Sequence, residues 1–421
     1  MAHATRDKTY RAFPAALALA ALVAAGAAHA TTFTVLHNFT GPEGMRPQTA
    51  LLRDGQGNLF GTAEQSSPKK STGMVFKFTP KGRLIVVHAF RGHEDGNQPE
   101  ASTVVADTAG NLYGTTQTGG KPIDAKGGTV FKIAPDGTES LLHIFHGVPD
   151  GVNPSAGLTI DTAGNLYGTT PGGGTITQCV NTDSSGCGTV FKIAPGGAET
   201  VLHAFEGPDG IGLYGADLLV DGSGDIYGVT YAGGAFNTCY GGPGCGTVFK
   251  IASDGTFSTL YSFKGINSGG NDGNFPLSTL IEDDAGNLYG TTWSGGVSLD
   301  RSCNGCGTIF KIDPEGAETV LYTFPGGAGG QQPEGGVVRD AQGNLYGTAY
   351  GGGDLHCQKH VGCGIAYKLT PDGTFTVIHV FEKTDGAYPV GGLIGDGAGN
   401  LYGTTTAGGA YGGGTIFELT P

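Results

Sequence analysis

Phe33-Thr34-Val35-Leu36-His37-Asn38-Phe39 at one end of the chain and Thr415-Ile416-Phe417-Glu418-Leu419-Thr420 at the other read as two parts of one repeat. Between them the phrase Gly-Asn-Leu-Tyr-Gly-Thr recurs, with small variations, seven times. Its aromatic falls at Phe60, Tyr113, Tyr167, Tyr227, Tyr289, Tyr346 and Tyr402, at spacings of 53, 54, 60, 62, 57 and 56 residues. Each repeat offers four short strands, but the count is offset at the ends. The chain opens on a fourth-strand sequence and closes on a third-strand sequence, so the two ends complete one four-stranded sheet. That closes a ring and removes the open edges of a linear array. The expected fold is all-β: a seven-bladed β-propeller with four antiparallel strands per blade, closed by the N-terminal strand joining the C-terminal blade. An open β-solenoid does not fit the offset.

The third repeat shows the pattern. Gly157 to Asp161 is a predicted first strand, and Asp161-Thr162-Ala163-Gly164-Asn165 a tight turn whose Gly and Asn tolerate left-handed angles. Leu166 to Thr170 is the second strand, Gly188 to Ile193 the third and Thr200 to Phe205 the fourth. β-branched and aromatic residues dominate, without clean alternation, as expected for sheets buried on both faces. The chain's 80 glycines fall at fixed places in each repeat and read as turn residues.

Residues 1–30 read as a secretory signal: Arg6, Lys8 and Arg11, an apolar run from Ala15 to Ala25, and a small-residue cleavage site at Ala28-His29-Ala30. The run is too short to span a bilayer, so no membrane span is expected. Residues 31–421 form the propeller in this reading, secreted or periplasmic. Without Arg6, Asp7, Lys8 and Arg11 the charge is −16, which argues against nucleic acid and anionic membrane as partners. The eight cysteines fall in close pairs between second and third strands: Cys179/Cys187, Cys239/Cys245, Cys303/Cys306 and Cys357/Cys363. An exported chain with paired cysteines predicts four local disulfides. Cys303 and Cys306 alone have a spacing that zinc or redox chemistry could use, but no helix is expected beside them.

The block Asp-x-x-Gly-Asn-Leu-Tyr-Gly-Thr-Thr…Gly-Gly…Gly-Thr-Val-Phe-Lys-Ile…Pro-x-Gly resembles the GloVer tandem-repeat family of exported bacterial proteins, over essentially all of residues 31–421. The resemblance implies secretion and a repeat fold; it brings no reaction and no catalytic residues. Many relatives bear varied C-terminal sorting signals. This chain ends at Pro421, straight after a strand, where no anchor is visible.

On a propeller, the turns between strands one and two and between three and four share one face, and here both are tight. The loops between strands two and three, and from the fourth strand to the next blade, share the other. Those are long, variable and hold every cysteine, so they are the expected working face. Residues present in every blade serve the fold; residues that break the symmetry are candidates for function. His37, His88, His143, His203 and His379, with Tyr261 and Tyr322, fill one equivalent position and read as packing or hydrogen-bonding groups. The loop acids Glu43, Asp95, Asp150, Asp209, Asp272 and Asp385 read mainly as turn caps, with a ring of catalytic or calcium-binding carboxylates as the alternative. Just after the second strand, Tyr231, Trp293 and Tyr350 break the symmetry, where other repeats have Ala63, Gln117, Pro171 or Thr405 nearby. They could form a platform for sugar rings, or pack under their disulfide loops. The sixth loop adds Asp354, His356, Lys359 and His360, a set in which His and carboxylate could act as acid and base. Asp300 and Arg301 in the fifth loop are further possible ligands. No phosphate loop, EF-hand, zinc-protease motif or nucleophile elbow occurs. No cofactor and no metal site are expected, catalytic residues are not identified, and the chain is expected to be a monomer. The leading expectation is a binding module for a poly- or oligosaccharide or cell-surface polymer. The alternatives are a polysaccharide lyase or glycosidase on the loop-rich face, and a structural propeller that binds a surface protein.

Overall fold

In the computed structural model the described residues are 31–421 without 42–43, 65–71, 93, 100–102, 121–126, 175–178, 180–185, 237–238, 240–243, 266–270, 298–302, 304 and 358–360. The predicted signal segment, Glu43, Asp300, Arg301, Lys359 and His360 lie outside them. Residues 31–421 make one unit of seven antiparallel sheets, the blades of a propeller. In blade 3 the strands are Thr159–Ile160, Leu166–Thr170, Thr189–Ile193 and Glu199–Ala204, hydrogen-bonded in that order. The first strand is shorter than predicted because only Thr159 and Ile160 pair with the second strand, opposite Tyr167 and Leu166. Blade 5 gains a short strand, Gly273–Pro276, beside a second strand extended to Leu288–Gly295.

The seventh sheet is closed as the sequence offset requires. Thr32–Asn38 pairs with Thr415–Thr420, with Phe33 opposite Leu419 and Asn38 opposite Thr415. Its register skips one residue between Val35 and His37. The six other outer pairs carry a matching skip, as between His203 and Val201 opposite Val190 and Phe191. The N-terminal strand thus reproduces the bulge of a covalently continuous blade, which marks it as a full fourth strand.

One contact repeats around the ring. The Phe that follows each outer strand meets the third-strand aromatic of the next blade: Phe39 with Phe76, Phe90 with Phe131, Phe145 with Phe191, Phe205 with Phe249, Phe263 with Phe310, Phe324 with Tyr367 and Phe381 with Phe417. Centroids lie 5.0–5.3 Å apart at steep angles. The rings are fully buried except Phe90, at 3 % exposure. Each ring contributes about 1.5–3 kcal/mol by burial and each edge-to-face pair about 1 kcal/mol more. The same rings explain the Gly of Leu-Tyr-Gly-Thr. A Cβ on Gly168 would stand 2.5 Å from the tip of Phe191 and 2.8 Å from Leu158, so only glycine lets the third-strand ring reach the first strand. Strands two and three are buried almost throughout, as expected for sheets covered on both sides.

Candidate functional site

The residues that recur in every blade are absorbed by the fold. In the turn after the first strand, Asp107 accepts from the backbone N–H of Ala109 and Asn111 at 3.0 and 2.9 Å, and from the Asn111 amide and Tyr113 hydroxyl at 2.6 and 2.9 Å. Burial pushes the Asp107 carboxyl up, but these bonds outweigh it and hold it below its ordinary value. Burial and Asp107 together push the Tyr113 hydroxyl up to about 12. The outer-strand histidines bond the loop acids: His88 to Asp95 at 3.1 Å, His143 to Asp150 at 3.1 Å, His203 to Asp209 at 2.8 Å and His379 to Asp385 at 3.1 Å. The Tyr261 hydroxyl donates to Asp272 at 2.7 Å in their place. These acids also cap their loops, as Asp95 does by accepting from the Arg91 N–H at 2.7 Å. The hydrogen-bonding and capping roles expected for both sets are present together, in one device.

The two long loop types share a face, because each inter-blade loop is tied to the preceding loop between strands two and three. Phe275 N–H donates to the Cys245 carbonyl at 2.9 Å, Gln332 to Cys306 at 2.7 Å and Tyr388 to Cys363 at 2.8 Å. All four predicted disulfides are formed, with Cα–Cα distances of 5.3, 5.2, 5.1 and 5.4 Å. At the axis lies a cavity of about 430 Å³ lined by all seven blades. One set of lining residues stands two places after a recurring left-handed position: Gln48, Ser155, Tyr214, Leu277, Glu334 and Val390. A second set is the residue before the buried Leu or Val that leads into each first strand: Ala50, Thr103, Asp217, Thr279, Gly336 and Gly392 line the cavity, and Gly157 is their equivalent in blade 3. A Cβ on Gly157 would sit 2.6 Å from Asp217 Oδ1 and 2.7 Å from Thr103 N, so three blades meet here.

Two carboxylates break the symmetry of these sets. Asp217 accepts from the Gly157 N–H at 2.6 Å and from the Thr103 hydroxyl, and its own N–H donates to Thr279 Oγ1 at 3.0 Å. The wall of the channel shields it, and this burial pushes its carboxyl up to about 7 against the pull of its hydrogen bonds. Burial also pushes Glu334 up to about 7, although the Trp293 indole N–H donates to it. Both keep part of their surface open to the channel.

Around this mouth the aromatic trio sits in a longer run. Tyr231 stacks on Phe275 with centroids 4.6 Å apart and meets Tyr214 edge-on at 5.8 Å. Phe275 lies 6.5 Å from Trp293. Glu334, bonded to Trp293, also faces Tyr350, whose hydroxyl is pushed up first by burial and then by the Glu334 charge. Tyr350 stacks on Tyr388 at 4.9 Å. The three predicted aromatics are thus linked through Phe275 and Glu334 across blades 4 to 7. The structure places Glu64 and Thr406 at the equivalent positions of blades 1 and 7, one residue beyond the Ala63 and Thr405 taken from the sequence. Asp354 and His356 bond each other at 2.9 Å on an exposed loop, where the His356 side chain is 99 % exposed. They do not line the axial cavity.

Sequence reasoning missed Tyr214, Asp217, Phe275, Glu334 and Tyr388. What relates Phe275 and Tyr388 to the other blades is the backbone. Arg46, Gln98, Asn153, Phe275, Gln332 and Tyr388 all hold φ of 57–59°, with Gly212 as the seventh at 67°. The backbone state recurs and serves the fold; the identity of the side chain varies, and in two blades it is aromatic. Among the described residues one group could hold a metal ion, His88, Asp95 and Glu139 at the outer rim.

The profile described as the Gloeobacter/Verrucomicrobia repeat matches residues 23–180, 174–361 and 296–421. No curated protein matches the chain. Among solved structures, the chain is similar to the extracellular domain of a Bacteroides thetaiotaomicron protein described as a one-component system, at 11 % identity and a TM-score of 0.52, covering 91 % of this chain and 39 % of that one. It is similar to PorZ, a surface component of the type-IX secretion system of Porphyromonas gingivalis, at 14 % identity and 0.50, covering 89 % and 46 %. A gluconolactonase from Xanthomonas campestris matches at 13 % identity and 0.41, covering 75 % and 85 %. At these identities the first two likenesses concern the fold alone.

Proposed function

We propose that this chain, which belongs to the Gloeobacter/Verrucomicrobia repeat family, is an exported propeller module that binds a carbohydrate or related cell-surface polymer across the loop-rich mouth of its channel. One observation carries the reading: the run Tyr214, Tyr231, Phe275, Trp293, Tyr350 and Tyr388, broken by the carboxylate of Glu334. Sugar rings offer C–H faces to aromatic planes and hydroxyl donors to carboxylates, so such a border suits them. The channel acids favour a neutral polymer over an anionic one. Export rests on the signal-like segment 1–30 and on four disulfides, which persist in an oxidising compartment.

The test is affinity electrophoresis of residues 31–421 through gels containing neutral and acidic polysaccharides. Retardation by a neutral polymer is expected, and Trp293→Ala and Tyr388→Ala should each abolish most of it. Trp293 is the chain's sole tryptophan, so the same ligand should change its fluorescence. Retardation that survives Trp293→Ala would sink this site, and none across the panel would sink the glycan reading. A second reading, a glycosidase or lyase, is favoured by Asp217 and Glu334 lining one cavity with both carboxyls near 7, where a group can donate or accept a proton at neutral pH. Release of reducing or unsaturated ends from a retained polymer, lost in Asp217→Asn or Glu334→Gln, would distinguish it from binding alone.

A further inference from the structure

At six of the seven junctions the outer-strand His or Tyr faces the next blade's outer-strand residue that pairs with the fifth residue of the third strand. In three junctions that residue is a Phe lying flat on the ring: Phe257 on His203 at 3.7 Å, Phe375 on Tyr322 at 3.9 Å and Phe33 on His379 at 3.6 Å. In three others it is Glu139, Glu199 or Glu318. A carboxylate does not reproduce a stacked ring. It leaves space beside the imidazole, and between blades 1 and 2 that space is a cavity of about 400 Å³ lined by His88, Arg91, Glu94, Asp95 and Glu139.

Only at this junction, among the described residues, do the ligand atoms converge. His88, Asp95 and Glu139 each place one donor atom within 4.8 Å of the others. His88 Nε2 and Asp95 Oδ2 are 3.1 Å apart, a separation that two adjacent ligands about 2.1 Å from one metal ion also adopt. Asp95 is held for this by its other oxygen, which accepts the Arg91 N–H. Glu139 Oε1 is buried without a hydrogen-bond partner, as are Glu199 Oε1 and Glu318 Oε1, but here alone among the described residues a histidine and a second carboxylate converge beside it. A buried oxygen left in this way costs about 1–3 kcal/mol unless something completes it. At the neighbouring junction Asp150 turns both oxygens toward His143, at 3.1 and 3.2 Å, and the three groups do not converge in the same way.

We propose that His88, Asp95 and Glu139 form a binding site for a first-row divalent cation of the zinc class, clasping blades 1 and 2 at the outer rim. One imidazole and two carboxylates suit such an ion, whereas calcium prefers six to eight oxygens. Asp95, Glu139 and Glu94 outweigh Arg91, so the rim is negative before the ion arrives. The cavity leaves room for water in the remaining positions.

The test uses tag-free chain 31–421, treated with chelator and dialysed, then titrated with zinc by calorimetry and followed by its melting temperature. Its cysteines are all in disulfides and do not compete. One saturable equivalent of zinc is expected, with a rise in melting temperature. Glu139→Gln should weaken binding by about 100-fold or more, since loss of even an outer-shell partner costs 10–100-fold. Glu199→Gln should leave it intact. Glu139→Phe copies a junction that the protein already builds three times, so it should fold; it should bind no zinc and show no zinc-dependent rise in melting temperature. Absence of saturable binding in the parent chain, or binding undiminished in both Glu139 variants, would overturn the proposal.

Discussion

Asp217→Asn should stabilise the chain, and the gain should grow with pH. Asp217 is the one charged residue at its recurring position beside the channel, filled elsewhere by Ala50, Thr103, Gly157, Thr279, Gly336 and Gly392. An asparagine of the same shape can still accept the Gly157 N–H and can offer its amide to the Thr103 hydroxyl. What it removes is the ionisation. Burial raises the folded-state value from 3.8 to about 7, so the folded chain holds the proton more tightly than the unfolded chain. Ionising the group therefore destabilises the fold; the penalty is absent below about pH 3.8 and complete above about pH 7. The shift corresponds to about 4 kcal/mol in full, of which about 2.6 kcal/mol develops between pH 5 and pH 8. Because the carboxyl keeps part of its surface on the channel, screening by solvent reduces that to about 1–2 kcal/mol.

The assay is urea unfolding followed by circular dichroism, on both proteins at pH 5 and pH 8. Taking the difference between them at each pH cancels Glu318 and Glu334, whose carboxyls burial also pushes up to about 7. The advantage of the variant should be larger at pH 8 by about 1–2 kcal/mol. An advantage that is equal at the two pH values, or larger at pH 5, would refute the claim that Asp217 is held near neutral. A charge that costs this much and that no other blade carries is a stability sacrifice of the kind found at working sites.

Two further outcomes follow from the packing of the rings. Tyr367 is the only third-strand aromatic with a hydroxyl, which is buried without a partner and would lie 2.4 Å from a Cβ on Gly347. Tyr367→Phe should raise stability by about 1 kcal/mol, read as a higher melting temperature. Gly168→Ala should lower stability by about 1–3 kcal/mol, since its methyl group would press on Phe191 and Leu158. An unchanged melting temperature there would show that the ring has room the packing does not display.

How far the fold could be read from the sequence follows from where symmetry acts. Every blade must present the same faces to its neighbours, so the Gly against the third-strand ring, the Asp of the first turn and the outer-strand His or Tyr recur and can be read from spacing alone. The offset ends pointed to the closure; the bulge near His37 is a finding of the structure. The site was half legible. Trp293 and its two tyrosines stood out because they follow a recognisable strand. Phe275 and Tyr388 did not, because they lie in inter-blade connections of different length where no recurring strand fixes the alignment; only their common left-handed backbone shows that they are equivalent. Asp217 and Glu334 were missed for a related reason. An isolated acid in a Gly-rich loop has no pattern, and its distinction is the wall around it, which seven distant segments build together.

At the mouth of the channel the backbone positions recur while their side chains differ from blade to blade, so the shared fold does not dictate what stands there. The same pair of seats holds Arg46 and Glu64 in blade 1, bonded at 3.3 Å, and Phe275 and Trp293 in blade 5. In blade 2 they hold Gln98 and Gln117, and in blade 3 Asn153 and Pro171. The rings all fall in blades 4 to 7, beside Gln332 and Thr406, while blades 1 to 3 hold no ring in either seat. If the rings only packed beneath their own disulfide loops, blade 3, which has the Cys179–Cys187 disulfide, should carry one as blades 4 to 6 do; it carries Pro171 instead. If the loops only needed polar filling, Tyr231 and Trp293 would not have to meet through Phe275. A ligand lying across the mouth would meet ring faces on one side and amides and charges on the other. That division matches a molecule with apolar faces and hydroxyl edges, and it is why Tyr388, at the far end of the arc from Tyr214, is the second residue to remove after Trp293.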